Sequence, residues 1–292
     1  MNTIWSTYIQ KIGTLYDSRT LRFSDLFRSK YENAFQLKDE GKILEIGCGP
    51  GALAQSLHRW YPHAEITGID RDSNFVRFAS GKAPDIHFVE GDALKLPFSD
   101  NSFDVTISNT VSEHVDPSKF FAEQYRVLKP GGVCLVLSAR KGVNIAASCV
   151  AEKTAFETEI WKRVESRFQD SMENYQICAY PMSEAQLPLT MEQYGFQKVS
   201  TDYLTINLTP DHPGYSREMA YAMITANQQG ALDSIDSLAD LAADLVTEAE
   251  REEMKRLVRM RYEKRLALYD AGNRQWDTNL SLTMVVRGVK EC

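Results

Sequence analysis

Lys42-Ile-Leu-Glu-Ile-Gly-Cys-Gly-Pro-Gly51 joins an apolar run of strand length to three glycines. Ala52-Leu-Ala-Gln-Ser-Leu57, a helix-compatible stretch, follows at once. Glycines at 47, 49 and 51 allow positive φ and let a ligand approach backbone that a side chain would block. Amides exposed at the start of the next helix favour a polar or anionic group. Glu45 stands inside the apolar run, where a carboxyl needs a polar partner. Nineteen residues beyond Gly51, Asp70 closes a second apolar run, where a carboxylate can accept hydrogen bonds from two ribose hydroxyls. A third run ends in Gly91-Asp92-Ala93, and Leu96 to Asp104 leads into a fourth. Ser108-Asn109-Thr-Val-Ser-Glu-His-Val115 lies at the carboxyl end of that fourth strand, where open α/β sheets bind ligands. There His114, as a neutral imidazole, and Glu113 are candidate general bases, with packing and hydrogen bonding at a helix start as the alternative role for each.

Elements of alternating type must position these groups. From Lys42 to Ser138, strands predicted near 42–47, 65–70, 86–90, 103–108 and 132–138 alternate with helices near 51–60, 72–80 and 117–128, the order of a parallel sheet. Upstream, residues 3–38 are amphipathic and helical in spacing, rich in Tyr, Phe and Trp. Downstream, Ile145 to Ser171 has helical spacing that includes Phe168, and Ser183-Glu184 can cap a helix ending at Gly195. Phe196 to Leu208 and Leu280 to Val289 alternate as strands. Between those strands, three helical patterns (215–228, 233–246 and 248–270) form a long insertion with His212 at its entrance.

Glu45-Ile-Gly-Cys-Gly-Pro-Gly51, Gly68-Ile-Asp70, Gly91-Asp-Ala93, Pro97-Phe-Ser-Asp-Asn-Ser-Phe-Asp104 and Leu128-Lys-Pro-Gly-Gly132 together resemble the class I S-adenosylmethionine-dependent methyltransferases. The resemblance covers about residues 40–138. It implies an α/β, Rossmann-like, seven-stranded and mostly parallel sheet with helices on both faces. A helical N-terminal lid (1–40) would precede a core made of 41–210 and 277–292, with 140–180 a helical addition. Residues 211–276 would be a substrate-covering insertion between the last two strands. It also implies S-adenosyl-L-methionine as cofactor and S-adenosyl-L-homocysteine as product. Asp70 would take the ribose hydroxyls, Arg71 would flank the adenine, and Asp92 with the Ala93 amide would meet the adenine amino group. Gly47, Gly49, Gly51 and Asn109 would admit the methionine portion, with Glu45 accepting from its amino group. Tyr8, Tyr16, Arg19 and Arg22 would be polar contacts of the lid, with His212 a further substrate-side candidate.

Composition narrows the acceptor. The formal net charge of −7 lacks the basic face a nucleic acid demands. Asn109-Thr-Val-Ser112 also lacks the Asn/Asp-Pro-Pro-aromatic turn of enzymes that methylate nucleobase amines. No apolar stretch approaches the roughly 20 residues that span a bilayer. Cys48, Cys134, Cys149, Cys178 and Cys292 are scattered, odd in number and never in CxxC spacing, which argues against a metal site or disulfide framework and for a reducing cytoplasm. The expected activity is in-line SN2 methyl transfer to a small, partly apolar molecule enclosed by mobile helices. Two other readings stay open at this point: a protein that binds the cofactor without transfer, and a nicotinamide-dependent oxidoreductase, against which Gly91-Asp92-Ala93 counts. An insertion lying on the far edge of the sheet would serve instead as a homodimer surface.

Overall fold

Ile43, Leu44 and Ile46 are wholly buried in strand β1 (Gly41–Ile46), which explains their unbroken apolar run: both faces of a parallel strand are covered by helices. The computed structural model of the chain describes residues 5–145 and 150–291. Cys149 and Cys292 lie outside the described residues, while Cys48, Cys134 and Cys178 are free thiols. Around β1 run β2 (Ala64–Asp70), β3 (His87–Glu90), β4 (Phe103–Asn109), β5 (Leu128–Ile145), β6 (Phe196–Leu208) and β7 (Thr278–Lys290), in the sheet order β3-β2-β1-β4-β5-β7-β6. β1 pairs in parallel with β2 and β4, while β7 runs antiparallel between β5 and β6. The chain direction of winding reverses between β1 and β4, and the crevice at their carboxyl ends is the natural ligand position in such a sheet.

Helices α1 (Ile12–Arg22) and α2 (Arg28–Phe35) follow a wide helical turn at Trp5–Ile9. Helices α3 (Ala52–Trp60), α4 (Ser73–Lys82) and α5 (Pro117–Val127) are the crossovers of the parallel half. Asp72 and Asp116 cap α4 and α5 by accepting from backbone amides one turn in, and Pro117 fits the first turn of α5. Helices α6 (Ala155–Asn174), α7 (Gln186–Gln193), α8 (Arg217–Leu241) and α9 (Glu248–Asp270) complete the chain. Thr154 with Glu157 and Thr247 with Glu250 form capping boxes at α6 and α9. The N-cap position of α7 is Ala185 rather than Ser183 or Glu184, and the Ser183 hydroxyl, two residues before it, accepts from the Gln186 N–H at 3.2 Å.

Three expectations need correction. The patterns at 215–228 and 233–246 are one helix, α8, because the intervening Gly230 costs only about 1 kcal/mol in a helix and no proline breaks the run. Strand β5 continues to Ile145 rather than ending near 138, since β7 pairs with it out to Thr278. The insertion does not itself cover the cavity described below. Instead α8 packs behind α1: Lys11 Nζ lies 3.3 Å from Asp236, and the Thr14 hydroxyl donates to Asp233. Helix α1 carries Leu15 and Arg19 on its opposite, cavity-facing side, so it stands between the insertion and the site.

Two hydrophobic clusters occupy the two sheet faces, one centred on Ile43, Leu57, Trp60 and Phe35, the other on Leu44, Phe120, Phe121 and Val136. A separate cluster (Ile160, Val164, Ile235, Leu238, Met254, Val258) holds α6, α8 and α9 together.

Candidate active site

The turn after β1 is held open by backbone. Gly47 (φ 69°) and Cys48 both donate to the Ile69 carbonyl, at 2.8 and 3.0 Å, which stitches the turn to the end of β2. A Cβ on Gly47 would lie 2.4 Å from Val111 Cγ2, so this position requires glycine twice over. Gly49 N–H donates to Asp70 Oδ2 at 2.8 Å and Asp72 N–H to Oδ1 at 2.8 Å. Each Asp70 oxygen therefore keeps one lone pair for a ligand hydroxyl. Burial pushes the Asp70 carboxyl up to about 6 despite those two donors.

A cavity of about 670 Å³ opens at this point, and Glu45, Gly47, Gly49, Asp70, Arg71, Asp92, Ala93, Asn109, His114 and Arg19 all line it. Gly51 does not; it adopts φ 83° to start α3, with Ala79 and Phe88 crowding its missing Cβ. Asp92 has the turn role as well, accepting from Leu94 N–H at 2.9 Å. Glu45 is 2% exposed, and its Oε2 has no partner among the described residues. Burial, with the neighbouring Asp70 charge adding to it, holds the Glu45 carboxyl well above the usual carboxylate range. A buried acceptor without a donor at the wall of a cavity fits a cationic ligand group, whose arrival would restore the carboxylate.

His114 and Glu113 sit at a junction of three segments. His114 Nδ1 accepts from the Cys178 N–H at 3.0 Å, and the Tyr180 N–H donates to the Glu113 carbonyl at 2.9 Å. On another side, the Trp5 ring meets His114 edge-on with centroids 4.8 Å apart. Burial, with Arg71 adding to it, pushes the imidazole down to about 4, so the ring is neutral. With Nδ1 accepting, its proton sits on Nε2, which makes that atom a donor. The Glu113 side chain is not among the cavity lining; it accepts from the Ser112 hydroxyl at 3.2 Å.

The lid residues divide. Arg19 reaches the cavity, and its Nη2 donates to Thr110 Oγ1 at 3.1 Å. Arg22 instead donates to the Ser18 carbonyl at 3.0 Å. Tyr16 points away, donating to Gln55 Oε1 at 2.9 Å and packing edge-on against Phe78. His212 lies against Tyr215 and accepts from Gly214 N–H at 3.1 Å, a turn contact remote from the lining. Tyr8 falls in the turn at Trp5–Ile9, with its side chain outside the described residues. Sequence reasoning missed Trp5, Lys119, Ile177 and Tyr180, which also line the cavity. Gln176, Ile177 and Tyr180 come from an irregular stretch without periodicity, whereas Phe168 sat visibly in a helical pattern.

Residues 44–136 match the family model described as a methyltransferase domain. The chain is similar to a fatty-acid O-methyltransferase of Mycolicibacterium smegmatis, with 39% identity over 39% of this chain and 43% of that protein. It is also similar to a demethylmenaquinone methyltransferase of Staphylococcus haemolyticus, with 27% identity over 73% of this chain and 93% of that protein. It thus spans under half the length of the first relative and nearly all of the second. In fold it is similar to phosphoethanolamine N-methyltransferase 2 of Haemonchus contortus in complex with S-adenosyl-L-methionine (TM-score 0.55, 18% identity, 99% of this chain and 59% of that one). The ordered glycine turn, the acid closing β2 and the strand order agree with that match: residues 44–136 form a methyltransferase domain of the class I S-adenosylmethionine-dependent type.

Proposed function

We propose that the protein transfers the methyl group of S-adenosylmethionine to a small, partly apolar acceptor by in-line displacement. The observation that carries this reading is a single 670 Å³ cavity with two unlike walls. One wall is the polar glycine turn with Asp70 and Glu45, and the other is Trp5, Ile9, Leu15, Phe23, Phe168 and Tyr180. A polar wall facing an apolar one suits a polar cofactor beside a partly apolar small molecule. The names of the relatives, a fatty-acid and a demethylmenaquinone methyltransferase, support an acceptor with an apolar body.

When bound, the cofactor supplies a methyl group already made electrophilic by its sulfonium. The residues of the chain then need only hold, align and exclude water. In this reading Asp70 accepts from the ribose hydroxyls, Arg71 flanks the adenine, and Asp92 with the Ala93 amide takes the adenine amino group. Glu45 accepts from the α-ammonium group, beside Gly47, Gly49 and Asn109. His114 acts as a fixed donor and a support for the covering segment rather than as a base. Residues 5–40 and 150–180 form the cover, and 211–276 brace it from behind.

The test is to incubate purified protein with methyl-labelled cofactor and a panel of fatty acids, reduced quinones and small amines. S-adenosylhomocysteine forming in step with one labelled product is the expected result. Binding of the cofactor with no turnover across the panel would favour the non-transferring reading. Label appearing only in protein or RNA from an extract would overturn the small-molecule acceptor.

A further inference from the structure

A crevice of about 130 Å³ lies at the seam of α6, α8 and α9, and it shares no lining residue with the cavity of the glycine turn. Trp161, Ala231, Ile235 and Val258 give it an apolar body, and Lys153 and Arg261 give it a cationic end. Its size is close to the roughly 150 Å³ at which an apolar cavity takes up benzene, so an occupant is limited to about six non-hydrogen atoms.

The hydrogen bonds around the crevice decide the sign of that occupant. Glu157 is the one carboxylate in the lining, and both of its oxygens are engaged. Oε1 accepts from Arg261 Nη1 at 2.6 Å, and Oε2 accepts from the Thr154 N–H and hydroxyl at 2.9 and 3.0 Å. Arg261 commits only Nη1 to that contact: Nη2 donates to nothing among the described residues, and Nε is buried without a partner. An under-satisfied buried guanidinium needs an explanation. Lys153 forms no ion pair among the described residues; its Nζ stands 4.6 Å from the centre of the Trp161 ring, which holds the ammonium against the apolar wall. The Ser234 hydroxyl gives its proton to the Gly230 carbonyl at 2.7 Å, so the donors left for a ligand are both cationic. The lining therefore carries an excess of one positive charge.

We infer that this crevice is a second binding site, for a short monocarboxylate whose charge meets Arg261 and Lys153 and whose apolar end lies along Trp161 and Val258. Charge-assisted hydrogen bonds favour the carboxylate over a neutral group of the same size. The buried Glu157 beside the cations disfavours a phosphate dianion. The occupant touches both helices that carry the cover. Helix α6 sends Phe168 into the larger cavity, and α8 holds Thr14 and Lys11 through Asp233 and Asp236. A ligand bridging these helices stabilises their packing by mass action, from outside the cavity of the glycine turn.

The test is to titrate the full chain with sodium butyrate against sodium chloride at equal ionic strength. Tryptophan fluorescence should change saturably, with a dissociation constant of about 1 mM, in keeping with so few ligand atoms. Butyramide, of the same size but neutral, should bind about tenfold more weakly. Lys153→Gln should lose about three- to tenfold, and Arg261→Lys, which keeps a cation on Glu157 but removes the second nitrogen, about tenfold. Ala231→Leu fills the apolar end, leaves every charge in place and should abolish binding. At ten times its dissociation constant, butyrate should slow hydrogen exchange along the facing stretches of α6 and α8 about tenfold. Butyrate bound equally well by Ala231→Leu would lie elsewhere and overturn the inference. Butyramide or inorganic phosphate binding the wild type as tightly as butyrate would do the same, as would a titration that shows no saturation below about 50 mM.

Discussion

Glu45, Asp70 and the glycine turn stand on strands whose positions are fixed by continuous backbone ladders, whereas Arg19, Phe168 and Tyr180 reach the same cavity from helices and loops held by side chains. The cover is held by buried apolar side chains, Phe23, Phe27, Tyr31 and Phe35 in one part and Ile160 and Val164 in the other, and by ion pairs to the insertion at half-exposed positions: Lys11 with Asp236, Arg163 with Glu250, and Arg167 with Asp244. Such pairs contribute little individually. Two pairs are buried: Arg261 with Glu157 joins α9 to α6, and a second closes the neck of the insertion. Arg265, fully buried, donates through Nε and Nη2 to Asp277 at 2.9 and 2.6 Å, and through Nη2 to Asp211 at 2.8 Å. Asp211 also accepts from the Gln275 and Trp276 amides. The difference implies a rigid floor of backbone ladders and an insertion joined to the sheet through one fixed neck, with the cover packed between the two.

Breaking that neck should have the largest effect. Arg265→Ala strands the buried Asp211 carboxylate and the part-buried Asp277 carboxylate and should cost about 3–5 kcal/mol in urea unfolding. Hydrogen exchange should accelerate first in α8 and α9, with β1 and β4 protected until global unfolding. Equal loss of protection in all of these elements would erase the distinction between floor and cover.

The floor has its own test. Asp70→Ala should weaken S-adenosylhomocysteine binding by about 1–3 kcal/mol, or roughly five- to 150-fold, through lost hydrogen bonds to a charged acceptor. Arg265→Ala, by contrast, should leave that affinity within about threefold in the folded protein. Calorimetry that showed an unchanged constant for Asp70→Ala would remove this side chain from the site.

The pH dependence sharpens the same point, because folding and binding should respond with opposite signs. Asp70 is pushed up to about 6 in the fold, against about 3.9 in an unfolded chain. Between these values the folded state binds more protons, so this group lowers stability as pH rises from about 4 to 6. Ribose hydroxyls donate to the ionised carboxylate, so cofactor affinity should rise over that range and level off above pH 6. Proton release on binding near pH 6, read from calorimetry in two buffers of different ionisation enthalpy, should vanish in Asp70→Asn.

What could be read from the sequence follows the same division. The strands, the parallel half of the sheet and the ligand end of β1, β2 and β4 were legible because buried strands show as apolar runs and their turns demand glycine or an acid. Asp70, Glu45 and Asp92 stand where those signals put them. The cover was legible only as helices. Amphipathic spacing showed that α1 has two faces but not which one α8 would take, so Tyr16 and Arg22 were grouped with Arg19 although only Arg19 reaches the cavity. The segment 176–180 left no trace, because its place depends on two amides that dock on Glu113 and His114. Positive φ at Gln176 and Cys178, neither of them glycine, could not be foreseen from residue type.

The smallest effect should come from the latch between floor and cover. His114→Phe keeps an aromatic edge beside Trp5 but removes the acceptor for the Cys178 amide, one hydrogen bond of about 0.5–1.5 kcal/mol. Exchange of the amides at 176–180 should speed up about two- to tenfold, and His114→Asn, which restores a carbonyl acceptor, should recover part of it. The sign with pH follows from the shift. His114 is pushed down to about 4 in the fold, against about 6.5 unfolded, so the unfolded chain binds the extra proton between these values. The latch is complete above pH 6.5, and its stabilisation declines as pH falls toward 4. A general base at this position would behave differently: His114→Phe would abolish turnover while leaving exchange at 176–180 unchanged, and that pair of results would return the histidine to the chemistry.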